Sequence, residues 1–216
     1  MNQIPDPFVL ALSLATLALV PFVAVMVTSF VKLAVVLSLV RNALGVQQIP
    51  PNMALYGLAI ILTVYIMAPV GHATHHVLAG LHVDLSTGEG LMTALEKGAE
   101  PLRVFLSQHT SESQRQFFLG TATRLWPKEM AATLDSGSFY VLAPSFTVSE
   151  LSAAFKIGFL IYLPFVVIDL IVSNILLAMG MMMVSPMTIS LPLKLFLFVM
   201  VDGWARLIEG LVLTYA

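Results

Sequence analysis

A chain of 216 residues is long enough for one compact unit, yet 58% of it is apolar and only 10% charged, against the roughly 25% charged content of an ordinary soluble domain. Together with a mean hydropathy of +0.93, this composition marks an integral membrane protein. A net charge of -2 gives no electrostatic footprint for nucleic acid, and a chain without cysteine has no disulfide, thiolate metal site or cysteine nucleophile.

The opening Met1-Asn2-Gln3-Ile4-Pro5-Asp6-Pro7 has no basic residue, and no small-residue cleavage site follows the first apolar stretch where one is expected, so that stretch reads as retained structure rather than a signal peptide. Phe8 to Val31 can span a hydrocarbon core that needs about 20 helical residues, and apolarity resumes past Lys32 as far as Val40. Pro21 lacks a backbone donor and predicts a bend in this helix. Arg41 to Asn52 form a polar connector in which Gly45 suits a helix C-cap and Pro50 and Pro51 prevent continuation. A second apolar helix is predicted over Met53 to Gly71, which makes residues 1–71 an N-terminal helical hairpin.

From His72 to Glu150 the character changes, because most charges of the chain fall here among Gly, Ser, Thr and Pro. Leu91 to Lys97, Pro101 to His109 and Ser113 to Trp126 carry apolar residues at helical spacing, so this stretch reads as a small water-facing helical domain. Val148 to Phe155 lead through Lys156 into a third apolar segment, Ile157 to Val184, and a fourth follows over Ile189 to Val201. Residues 151–216 thus form a C-terminal hairpin, and the fold class is an all-α membrane protein of two hairpins bracketing a small helical domain.

Basic residues in short connectors set orientation, whereas long polar domains translocate largely regardless of charge. Lys32 and Arg41 flank the first connector and Lys194 the second. Both hairpin tips are therefore expected to face the cytoplasm, with residues 72–150 in the periplasm. Arg206 is the one contrary charge.

Ionisable groups inside a membrane segment cost about 2.5 to 3.5 kcal/mol on insertion scales unless paired or wet. Asp169 lies near the middle of the third segment, with Asn174 five residues later and Lys156 at its start. It can serve a proton relay or form a structural pair with Lys32 or Lys194; a lone carboxylate lacks the several partners a pump needs, which favours the pair. His72, His75, His76 and His82 include i, i+3 and i+4 spacings, but no Asp, Glu or Cys stands among them until Asp84, so a solvated interfacial face is preferred to a metal site. No nucleotide loop, G-x-S-x-G elbow or H-E-x-x-H motif is present, and no histidine lies in an apolar segment to activate Ser185. The chain reads as a non-enzyme with no cofactor and no metal.

The run Met179-Gly180-Met181-Met182-Met183-Val184-Ser185-Pro186-Met187 places flexible, uncharged thioethers at a helix break. They can be apolar filler, or they can close an irregular gap reversibly.

Four segments resemble one family: Met26 to Lys32, Arg41 to Asn52, Phe159 to Phe165 and Met179 to Pro186. They are similar to the SctR (YscR, HrcR) export-apparatus component of type III secretion systems, whose flagellar counterpart is FliP. The resemblance implies a homo-oligomer, a pentamer, that assembles with the S and T components into a helical export-gate ring in the bacterial inner membrane. Contacts with the U and V components, the inner rod or needle and secreted substrates are implied as well. It also implies that a methionine gasket holds the pore shut, carried over to Met181, Met182 and Met183 and less directly to Met179 and Met187. The connector residues Arg41, Gln47, Gln48, Pro50, Pro51 and Asn52 carry the resemblance on the cytoplasmic side. Two other functions stay open beside the pore: a proton-coupled transporter using Asp169 and a non-conducting assembly scaffold.

Overall fold

The computed structural model describes residues 18, 21–46, 48–81 and 88–216. Most of the segment predicted over Phe8 to Val31 lies outside the described residues, as do Gln47, His82 and Asp84. Residues 21–26 are helical, and the helical path is interrupted over residues 27–29, beyond Pro21, before α1 (Phe30–Leu44) begins. Hydroxyls stabilise the interruption: Thr28 Oγ1 donates to the Val25 carbonyl at 3.4 Å and Thr147 Oγ1 to the Met26 carbonyl at 3.1 Å. Carbonyls released by the break therefore keep donors, which a buried break requires.

α1 is the central rod of the fold. Leu33, Val36, Leu37 and Val40 are wholly or almost wholly buried, because α2 (Asn52–Gly80), α7 (Phe139–Ala178) and α8 (Pro186–Met200) pack around it. Close approach to α7 depends on Gly158, where an added Cβ would fall 2.3 Å from Leu39 Cδ1. Gly45 ends α1 in the left-handed region at φ 76°, a conformation that a side chain would strain. Arg41, in the last turn, then ties the two ends of the connector by donating to Asn52 Oδ1 at 2.5 Å and to the Pro50 carbonyl at 3.2 Å.

α2 continues nine residues beyond the predicted end at Gly71 and carries His72, His75 and His76 in its outer turns. The polarity change at His72 is a change of surroundings, since Ala, Thr, His and Val all remain compatible with a helix. Four shorter helices follow: α3 (Gly88–Gly98), α4 (Glu100–His109), α5 (Glu112–Leu125) and α6 (Lys128–Ala132). Ser111 N-caps α5, accepting from the Gln114 amide at 3.4 Å. α4 and α5 pack on the first half of α7. Phe105 and Leu106 there meet Leu142, Phe146 and Val27 in a second apolar core, with the Phe105 and Phe146 rings 5.8 Å apart. Truncating a buried Phe such as Phe146 to Ala costs about 3–5 kcal/mol.

α7 is one helix of 40 residues that begins at Phe139 and ends at Ala178, not the segment from Ile157 to Val184 that hydropathy predicts. It runs through Pro144 and Pro164 and through residues 150 and 151, just as α2 runs through residues 71 and 72, so the compositional limits of the middle segment fall inside helices. α8 starts three residues before the predicted Ile189, with Pro186 in its first turn, where a missing amide hydrogen is harmless. Asp202 then takes φ 52° to turn the chain into α9 (Gly203–Leu213). No strand occurs among the described residues. α2 and α7 are long and apolar enough to cross a membrane, while α8 is apolar but shorter. Their outer faces leave Ile61, Tyr65, Phe159, Leu160, Phe196 and Val199 exposed, far more apolar surface than a water-soluble monomer tolerates.

Candidate functional site

Two features of the α7–α8 half distinguish it from a simple apolar hairpin: the chemistry of its tip and the way its charges are held. At the tip, Met179 caps α7 and Gly180 turns into the left-handed region at φ 72°. The Gly180 amide donates to the Leu177 carbonyl at 3.0 Å and the Met181 amide to the Leu176 carbonyl at 2.9 Å. This pair of bonds is the Schellman arrangement, which satisfies the last carbonyls of α7 and releases the following residues from the helix. Val184 donates back to the Met181 carbonyl at 3.3 Å, and Ser185 stands before Pro186 as the N-cap residue of α8. Backbone bonds thus fix the loop while its side chains point away from the fold: Met179, Met181, Met182 and Met187 are all exposed, and Met183 is 100% exposed.

The buried charges Lys32, Glu150 and Lys194 are all paired. Lys194 Nζ on α8 lies 2.6 Å from Asp169 Oδ2 on α7 and donates to the Ala43 carbonyl at 3.5 Å. The ammonium therefore sits where the last carbonyls of α1 concentrate negative partial charge. Of the two lysines suggested for Asp169, the partner is Lys194. The pair is lopsided, because the Lys194 side chain is 6% exposed and that of Asp169 42%. Asn174, one turn on, faces outward.

Lys32 has a different partner. Its Nζ lies 3.0 Å from Glu150 Oε1, and the two side chains are 5% and 3% exposed. The same ammonium donates to Thr214 Oγ1 at 3.2 Å and lies 3.8 Å above the Tyr215 ring. Tyr215 in turn donates its hydroxyl to Glu150 Oε2. Burial, then the Glu150 charge and the hydrogen bond to it, push the Tyr215 phenol far above its ordinary value, so it remains a donor. Every charge in this cluster has a partner, which a buried ion pair requires to repay its desolvation.

Glu150, Thr214 and Tyr215 escaped the sequence reading. The available signal was Glu150 itself, the one acidic residue between Asp135 and Asp169, flanked by Ser149 and Leu151. Among the described residues no group of three or more His, Asp or Glu side chains could hold a metal ion. His75 and His76 are edge to face at 6.4 Å, and His72, His75 and His76 are all exposed.

These features define a helical, membrane-embedded protein with apolar faces left open and its internal charges paired. A family model described as the FliP family matches residues 13–211, and the chain belongs to that family. It is 60% identical over 215 residues to the Yop proteins translocation protein R of Yersinia pestis, covering 100% of this chain and 99% of that one. The Harpin secretion protein HrcR of Erwinia amylovora is 47% identical over 210 residues, covering 97% of each chain. The Virulence protein YscR of Salmonella typhimurium is 47% identical over 217 residues, covering 99% of this chain and 100% of that one. The chain is thus a type III secretion export component and not an enzyme, as the quoted segments implied.

Proposed function

We propose that this protein is a core pore subunit of the export gate, through which unfolded proteins cross the bacterial inner membrane. Several copies, arranged as a pentameric ring with the S and T components, present their methionine loops to a shared axis. The U and V components and the inner rod then adjoin the ring, and the energy for transport comes from elsewhere in the apparatus. Both hairpin tips face the cytoplasm and the segment 72–150 is periplasmic.

The observation that carries this reading is the loop itself: an all-backbone turn that displays Met181, Met182 and Met183 to the outside with no fixed charge among them. A channel for unfolded chains must stretch around side chains of many sizes and close against ions between them. Hydrophobic constrictions gate by dewetting, and unbranched thioethers conform to irregular shapes. Ring symmetry repeats one loop into a closed collar. Leucine is stiffer through its branch, and a phenylalanine ring cannot reshape.

The engagement of Asp169 by Lys194 favours a structural role for this carboxylate over a proton relay. A pore and a mere scaffold differ in one direct readout. A photo-crosslinking residue at Met182 should capture a substrate stalled during export; a fully assembled, secreting complex that gives no such adduct would remove the pore assignment.

A further inference from the structure

Five of the chain's 12 methionines fall between Met179 and Met187, and the chain has no cysteine, so its oxidisable sulfur is concentrated in this one loop. Within it Met183 is 100% exposed and Met182 81%. Met67, by contrast, is half-buried against the second apolar core.

The way the loop is held decides what oxidation would change. Backbone bonds fix it: the Met181 amide donates to the Leu176 carbonyl, the Met182 amide to the Gly180 carbonyl at 3.0 Å and the Val184 amide to the Met181 carbonyl. None of these bonds uses a thioether. The polarity of the side chains can therefore change while the turn that displays them is kept.

We infer that Met181, Met182 and Met183 are an oxidant-responsive modification site, at which hydrogen peroxide converts thioethers to sulfoxides and thereby wets the constriction. The sulfur lone pair attacks one peroxide oxygen, so that an S–O bond forms as the O–O bond breaks. The departing hydroxide takes the proton from the transferred oxygen and leaves as water. Sulfur loses two electrons and the peroxide gains them. A flexible apolar side chain becomes a polar one, and the change is reversible, because dedicated reductases restore the thioether. A hydrophobic constriction shuts by excluding water, which a ring of sulfoxide dipoles no longer does. Symmetry repeats the change in every copy. Leucine would be inert to the same oxidant. The inference rests on the pore reading, because a scaffold has no constriction to wet.

The test treats native lipid membranes holding the assembled complex with dilute peroxide, maps added oxygen by peptide mass spectrometry and follows resting conductance to small ions. Met182 and Met183 should take up oxygen well before Met67, and wild-type conductance should rise severalfold as they do. A variant with Met181→Leu, Met182→Leu and Met183→Leu has no sulfur at these positions, so its conductance, whatever the resting value, should not respond. Loop oxidation without a rise in conductance would overturn the inference. So would a loop that stays unoxidised while Met67 reacts, or an equal rise in the leucine variant. Untreated complex with alanine at the same three positions separates the two claims. If it leaks while oxidised wild type does not, the oxidant response fails and the pore reading stands; if neither leaks, both fall.

Discussion

Lys32 and Glu150 meet at 3.0 Å inside the protein, joining the start of α1 to the first third of α7, and Tyr215 from the C-terminal end closes over both. Three stretches remote in sequence are thereby held at one point. Removing one member of a buried pair strands the other charge and costs about 3–5 kcal/mol, whereas an apolar replacement of both is often neutral. Lys32→Met or Glu150→Gln alone should therefore lower the thermal unfolding midpoint in detergent sharply, and Lys32→Met with Glu150→Leu should recover most of the loss. A double variant as unstable as the sum of the singles would contradict this account of the cluster.

Tyr215→Phe removes the donor to Glu150 Oε2 and should cost about 1–3 kcal/mol, read by the same unfolding assay. The folded phenol is raised above its unfolded value near 10. Its stabilising contribution is therefore complete below that pH and is lost only as pH rises through the higher folded value. In a spectrophotometric titration of the folded protein through the ordinary phenol range, Tyr215→Phe should leave the absorbance change unaltered.

The Asp169–Lys194 pair separates a structural role from a relay. Asp169→Lys combined with Lys194→Asp keeps an ion pair but destroys any relay, so secretion should survive in part. Rescue will be incomplete, because the exchanged carboxylate would face the Ala43 carbonyl at the negative end of α1, a penalty of roughly 0.3–1 kcal/mol. Secretion abolished in a swapped variant that still assembles would favour a proton-transfer role.

Gly180 has open space around its Cα, so substituting it tests backbone conformation without crowding. Gly180→Ala must hold a left-handed φ of 72°, at a cost of about 1–2 kcal/mol, and should displace the methionine loop. Asn tolerates this region better and should disturb it less. The expected order of loop-dependent secretion is Gly, then Asn, then Ala.

Much of this architecture is legible in the residues. Gly45 and the Pro50-Pro51 pair announce the first turn, and Gly180 with Pro186 the second, because each acts through its own backbone. Helix limits are less legible. Hydropathy marks where surroundings change, not where hydrogen bonding stops, so α2 outruns Gly71 and α7 begins well before Ile157. The site divides the same way. Lys32, Asp169 and Lys194 declare themselves as charges among apolar neighbours, but choosing partners is a tertiary matter. Glu150 sits next to a polar stretch that disguises its burial, and Tyr215 lies 65 residues farther along the chain.

The central claim is that the methionine loop seals a pore, and ion leakage measures that most directly. In membranes holding the assembled complex, replacing Met181, Met182 and Met183 together with alanine should raise resting conductance to small ions well above wild type. Conductance unchanged from wild type, in a variant shown to be fully assembled, would contradict the gasket.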